Sequence, residues 1–142
     1  MGDERIDVFF YGLFMDEQVL AAQGIAAAMP RRAFADGFRL RIGQRASLVP
    51  DGGARAYGMV YALTPSELDR LYGQPGLEAY RAELISVRGF DGSDLTAMCY
   101  NLAIAPELEE ASADYATRLS DVLTRLGFPL EYVNSISRPA AD

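Results

Sequence analysis

Residues 5–15 read Arg5-Ile6-Asp7-Val8-Phe9-Phe10-Tyr11-Gly12-Leu13-Phe14-Met15. The run to Tyr11 is rich in β-branched and aromatic side chains and stops at Gly12, which predicts a strand over 5–11. Ile6, Val8 and Phe10 share one face, and Phe9 and Tyr11 give the other face apolar weight as well. A strand that is apolar on both sides needs cover on both sides, so this one belongs inside a sheet rather than at its edge. Beyond the Tyr-Gly loop, Asp16 is placed to cap a short helix over 17–22 by accepting from early backbone N–H groups.

Outward from that strand, residues 33–43 alternate, with Phe38, Leu40 and Ile42 inward and Arg39 and Arg41 outward. That period of two predicts a strand with one wet side. Ser47-Leu48-Val49 reads as a short strand closed by the turn cluster Pro50-Asp51-Gly52-Gly53. A further strand over 55–63 sets Tyr57, Met59, Tyr61 and Leu63 against Ala56, Gly58, Val60 and Ala62, and Gly58 marks a close backbone approach. Thr64-Pro65-Ser66-Glu67 is a capping box with proline at the first helical position and a Leu63–Leu68 staple. Its helix runs to about Tyr72 and stops at Gly73. Residues 80–88 and 95–103 form a hairpin about Asp91-Gly92. A longer helix over 112–126 carries the stripe Tyr115, Leu119, Val122, Leu126 and ends at Gly127 and Pro129. Leu130–Ile136 is expected to return as a last strand, so the pattern holds three helices.

The chain's 142 residues fit one domain, 1–142. Strands without a regular βαβ alternation point to an α+β fold, a strongly bent mixed sheet or small barrel flanked by helices. The net charge of −7 argues against nucleic acid as a partner. No apolar run is long enough to span a membrane, and the polar N-terminus is unlike a signal peptide, so the cytoplasm is the expected setting. All thirteen cations are arginine, and histidine is absent. This removes a histidine general base, a Ser-His-Asp triad, a Schiff-base lysine and a P-loop lysine. Zinc sites of cysteine and histidine are excluded too, because Cys99 is the only cysteine. Six arginines (Arg31, Arg32, Arg39, Arg41, Arg45, Arg55) face only Asp36 and Asp51 within residues 31–55. They read as the solvated face of a strand or as an anion-facing patch. Acid–base chemistry is left to a carboxylate, a tyrosine or Cys99, and nothing near Cys99 lowers its pKa.

Four segments in order resemble the gamma-glutamylcyclotransferase-like family. They are Val8-Phe9-Phe10-Tyr11-Gly12-Leu13-Phe14-Met15, Gly58-Met59-Val60-Tyr61-Ala62-Leu63-Thr64, Leu68-Asp69-Arg70-Leu71 leading to Tyr80-Arg81, and the Asp91-Gly92 hairpin leading to Ala97-Met98-Cys99-Tyr100. The resemblance implies a mixed, partly closed β-barrel with flanking helices and a cavity beside the Tyr-Gly loop. It implies that backbone N–H groups of Gly12, Leu13, Phe14 and Met15 hold a substrate carboxylate; consecutive N–H groups in a tight turn do form anion-binding concavities. Tyr11, Tyr61, Tyr72, Tyr80 and Tyr100 are numerous enough to line a cavity with hydroxyls, although tyrosines in strands usually pack with the hydroxyl at the rim. The implied reaction needs no metal or cofactor. The substrate's own α-amine attacks its γ-carbonyl, releasing 5-oxoproline and an amine, while a glutamate moves the proton.

The sequence departs from the family where that glutamate belongs. Leu68-Asp69-Arg70-Leu71-Tyr72-Gly73 places Tyr72 at its position, and a shifted alignment brings Gln74 there. Neither is a base at neutral pH. Glu78, in the loop before Tyr80, and Glu83, on the following strand, are the candidate replacements. Two readings stay open: a divergent cyclotransferase acting on gamma-glutamyl amines with a relocated carboxylate, and a non-catalytic module that binds a small carboxylate. A third is an interaction protein with a vestigial pocket. The oligomeric state is not legible.

Overall fold

β1 (Ile6–Phe10) lies between β3 (Ala46–Leu63), to which it is antiparallel, and β5 (Asp94–Leu102), to which it is parallel through Val8 and Met98. The computed structural model describes residues 4–42, 46–73, 80–102 and 113–137. Within them β2 (Ala28–Ile42) and β4 (Tyr80–Gly89) complete a closed barrel in the order β1-β3-β2-β4-β5. Closure is made where Ala33 and Phe34 of β2 pair with Gly89 and Arg88 of β4. The interior position expected for β1 follows from its two apolar faces, each of which meets a different core.

Inside the barrel all five strands contribute, with Phe9 and Tyr11 set among small or branched residues such as Ala33, Ala35, Ala56, Val60, Val87, Ala97 and Cys99. Outside, Val8 and Phe10 join Met59, Tyr61 and Leu63 beneath the helices. The helical layer comprises a 3-10 turn at Leu13–Met15, α1 (Glu17–Ala22), α2 (Pro65–Tyr72), α3 (Ala113–Arg125) and α4 (Leu130–Ser137). No helix among the described residues is long and apolar enough to cross a membrane.

Gly58 lies tight against β1. A methyl group there would collide with the Phe10 carbonyl oxygen and stand 2.9 Å from the Phe9 ring. The close approach expected of this glycine is thus the packing of β3 against β1. The capping box also forms: Thr64 Oγ1 accepts from Glu67 N–H at 3.2 Å, and Glu67 accepts from Thr64 N–H at 2.9 Å. Glu67 further accepts from Ala26 N–H at 3.0 Å and pairs with Arg5, tying the start of α2 to the segment before β2.

Two expectations are corrected. Residues 46–63 form one strand, not two strands parted by a turn. The cluster Pro50-Asp51-Gly52-Gly53 is absorbed as a bulge: Phe38 pairs with Pro50 and Asp36 with Arg55, so β3 carries extra residues opposite Gly37. Leu130–Ile136 is helical rather than a last strand, which makes four α-helices among the described residues. Pro129 starts α4, its carbonyl accepting from Tyr132 and Val133 N–H, and Tyr132, Val133 and Ile136 pack at helical spacing against the outer core.

Three of the six arginines in the arginine-rich stretch are paired with acids across the sheet. Arg31 donates to Asp7 at 2.7 Å, Arg39 to Asp51 at 3.2 Å and Arg55 to Asp36 at 2.6 Å. Arg55 and Arg32 also lie over the rings of Phe34 and Phe90. This matches solvated, paired charges better than an anion-facing patch.

Candidate functional site

Where β1 ends, the chain turns out of the barrel and leaves a cavity of about 230 Å³ at its mouth. Tyr11 continues the inward face of β1, so its ring belongs to the barrel core and its hydroxyl reaches the rim. It donates to the Tyr100 carbonyl at 2.7 Å and lies 3.3 Å from that of Ala46. Tyr80, at the start of β4, donates to the same Ala46 carbonyl at 2.6 Å. Phe9, Phe10 and Val19 complete much of the apolar wall.

The loop side is built by Gly12, Leu13 and Phe14, all of which line the cavity. In a 3-10 turn the first N–H groups have no partner within the turn. Met15 N–H is the first to find one, bonding to the Gly12 carbonyl at 3.0 Å. Leu13 N–H donates instead to the Tyr115 hydroxyl of α3 at 3.3 Å. Gly12 makes room for that hydroxyl, since a methyl group there would stand 2.5 Å from it. Of the N–H groups expected to cradle a carboxylate, those of Leu13 and Met15 are therefore used within the protein. Met15 itself does not line the cavity; it is fully buried in the outer core, and its carbonyl accepts from Tyr61 at 2.6 Å.

Tyr72, at the end of α2, is where a glutamate is expected. Its ring stacks on Tyr100 with centroids 3.8 Å apart and planes at 9°, and the Phe14 ring meets it edge-on at 6.0 Å. Burial is the main cause that pushes the Tyr72 phenol well above its ordinary value, with Cys99 and neighbouring tyrosines adding to it. Tyr11 is raised for the same reasons. Cys99 is buried in β5, and its thiol is pushed up to about 12, by burial first and then by Glu83. None of these groups is ionised at neutral pH.

The carboxylates stand elsewhere. Glu83 is exposed on β4 opposite Cys99 and does not line the cavity. Asp69, one turn before Tyr72, acts on the Tyr100 phenol but does not line it either. Glu78 and Gln74 lie outside the described residues. Among the described residues, no group of three or more acids or cysteines could hold a metal ion.

Among the lining residues not expected as site residues, two carry polar side chains, Tyr115 and Arg118. They sit three apart on α3 and so share a face. Tyr115 was legible only as part of a helix stripe, and Arg118 as one arginine of thirteen. Burial raises the Tyr115 phenol, against the opposing pull of Leu13 N–H and the Arg118 charge. Arg118 is the one charged side chain among the described residues that line the cavity.

The chain is matched over residues 8–117 by a family model, that of gamma-glutamyl cyclotransferase, AIG2-like proteins. The chain belongs to this family. Solved structures agree on the fold. A gamma-glutamyl cyclotransferase superposes with a TM-score of 0.82 at 21% identity, over 98% of this chain and 90% of that one. The human protein loc79017 gives 0.82 at 21% identity, over 99% and 90%. YkqA from Bacillus subtilis gives 0.76 at 23% identity, over 94% of this chain but 53% of its own length. No curated protein matches the chain in sequence. Family membership accounts for the barrel, and Tyr72 stands at the position where the resemblance leads a glutamate to be expected.

Proposed function

We propose that this chain is a binding member of its family, holding a small carboxylate-bearing molecule in the barrel-mouth cavity without cyclising it. One observation carries this reading: Tyr72, un-ionised and stacked on Tyr100, stands where the glutamate is expected, and no described residue lining the cavity is a carboxylate. Proton transfer from an ammonium needs a base with a pKa near the working pH. Buried phenols and a thiol pushed up to about 12 do not supply one. Arg118 at the rim supplies the charge complementary to a carboxylate. A cytoplasmic setting and independence from metals and cofactors belong to the same reading.

Cyclisation is the second reading, and chain position favours it: Glu78 precedes the cavity residue Tyr80 by two residues. Glu83 is the weaker candidate, being exposed and outside the lining. The two readings separate on 5-oxoproline release from a panel of gamma-glutamyl amines and dipeptides. The expected result is no release by the wild-type chain. Release that disappears in Glu78→Gln would overturn the binding reading and make Glu78 the relocated base; release that survives there and disappears in Glu83→Gln would do the same for Glu83.

A further inference from the structure

Resting on the reading that this cavity binds a carboxylate, the geometry points to a narrower ligand class: a compact monocarboxylate with an aromatic or branched apolar body and no ammonium group. The body would lie among Phe10, Phe14, Val19 and Tyr72, and the carboxylate would face Arg118.

Three observations carry this. The first is the wall. It is made of aromatic and aliphatic side chains, and the tyrosine hydroxyls of Tyr11 and Tyr80 already donate to the carbonyls of Tyr100 and Ala46. A lining of this kind favours apolar surface, and at about 230 Å³ the space is smaller than the roughly 300–1,000 Å³ usual for drug-sized ligands. The second is the charge balance. Arg118 contributes one positive charge, and no carboxylate among the described lining residues contributes a negative one. An anionic ligand is matched, whereas a ligand with an α-ammonium would bring a second cation into an apolar site with no described anion to pair it, a costly burial. The third is the loop. Tyr115 takes the Leu13 N–H, and the Gly12 carbonyl takes that of Met15, so two of the loop's donors are withdrawn from anion binding. Arg118, three residues after Tyr115 on the same helix face, stands beside the loop and takes over the electrostatic part of recognition.

The test is isothermal titration of the full chain with four probes: phenylacetate, isovalerate, phenylacetamide and gamma-glutamyl methylamide. Phenylacetate and isovalerate are expected to bind. Phenylacetamide, which lacks the charge, should bind about 1.5- to fivefold more weakly, the range for a rim charge pair. Arg118→Gln should erase that difference between acid and amide. Phe14→Trp, checked for folding by its melting curve, should fill the cavity and abolish binding. Tighter binding of gamma-glutamyl methylamide than of phenylacetate would overturn this ligand class and leave the carboxylate-binding reading standing. Equal binding of acid and amide would overturn the role of Arg118. Binding that survives in a folded Phe14→Trp chain would place the ligand elsewhere and overturn the inference. No binding by any probe would remove both the inference and the reading beneath it.

Discussion

The two faces of β1 look into cores of different construction. Inside the barrel, Phe9 and Tyr11 are surrounded by alanines, Val60, Val87 and Cys99, on strands whose backbones are hydrogen-bonded around a closed ring. Outside, Val8 and Phe10 meet Met59, Tyr61 and Leu63 of β3 and leucines carried on α1, α2 and α3. A closed ladder cannot shift one wall inward without breaking hydrogen bonds, while a helix resting on apolar side chains can settle by a fraction of an ångström. The barrel is thus the rigid part, and the helical layer is the part that can carry a variable site. The cavity sits on the boundary: Tyr11 and Tyr80 belong to the barrel, whereas Tyr72, Tyr115 and Arg118 come from α2 and α3.

The largest expected effect tests that contrast directly. Phe9→Ala should cost roughly 4–5 kcal/mol, the upper part of the range for a buried phenylalanine, because the ring's neighbours cannot collapse into the space. Leu119→Ala in α3 should cost about 2–3 kcal/mol, since the helix can relax. Urea unfolding of both variants decides it, and equal losses would break the distinction. Gly58→Ala comes next at about 3 kcal/mol, because the new methyl group meets the Phe10 backbone as well as the Phe9 ring, and backbone cannot swing away. A loss below about 1 kcal/mol in the same assay would mean that β1 and β3 separate more easily than a closed barrel implies.

Smaller effects probe the helical layer. Glu67→Ala removes an acceptor from Thr64 and Ala26 N–H and a partner from Arg5, and should cost about 1–2 kcal/mol. Its pH dependence sharpens the point. Burial acts to raise the Glu67 pKa, but the Thr64 and Ala26 N–H groups, the Thr64 hydroxyl and Arg5 outweigh it and hold the carboxyl below its ordinary 4.5. Asp16 is likewise held below 3.8: burial acts upward, and Arg125 and Gln18 N–H prevail. A depressed folded-state pKa gives stability that is complete above the unfolded value and is lost as pH falls through the folded one. Melting temperature should therefore fall below about pH 4.5 in the wild type, and fall less steeply in Glu67→Ala. Identical slopes would show that Glu67 is not among the groups that set acid sensitivity.

Much of this molecule was legible because its signals are local. The two-faced strand at 6–10, the Thr64–Glu67 box and the Asp91-Gly92 hairpin each follow from neighbours in sequence, and each forms as expected. The last segment was misread because Tyr132, Val133 and Ile136 suit a strand by residue type; their helical spacing and the start at Pro129 matter once the outer core offers a surface to cover. Pro50-Asp51-Gly52-Gly53 favours a reversal by residue type, yet β2 continues opposite it and stays paired with β3 on both sides of a register shift between Asp36 and Phe38.

Residue identity and short spacing were enough to read the family, the mixed barrel and the Tyr-Gly loop. What fills the site depends instead on long-range packing. Tyr115 and Arg118 lie about a hundred residues from the loop they face, and nothing local to α3 distinguishes them from any other exposed or packed helical side chain. The same holds for Tyr72 on Tyr100, a stack made between α2 and β5. Charge, stacking and access in this cavity arise from chain segments brought together by barrel closure, a long-range event that no window of the sequence contains.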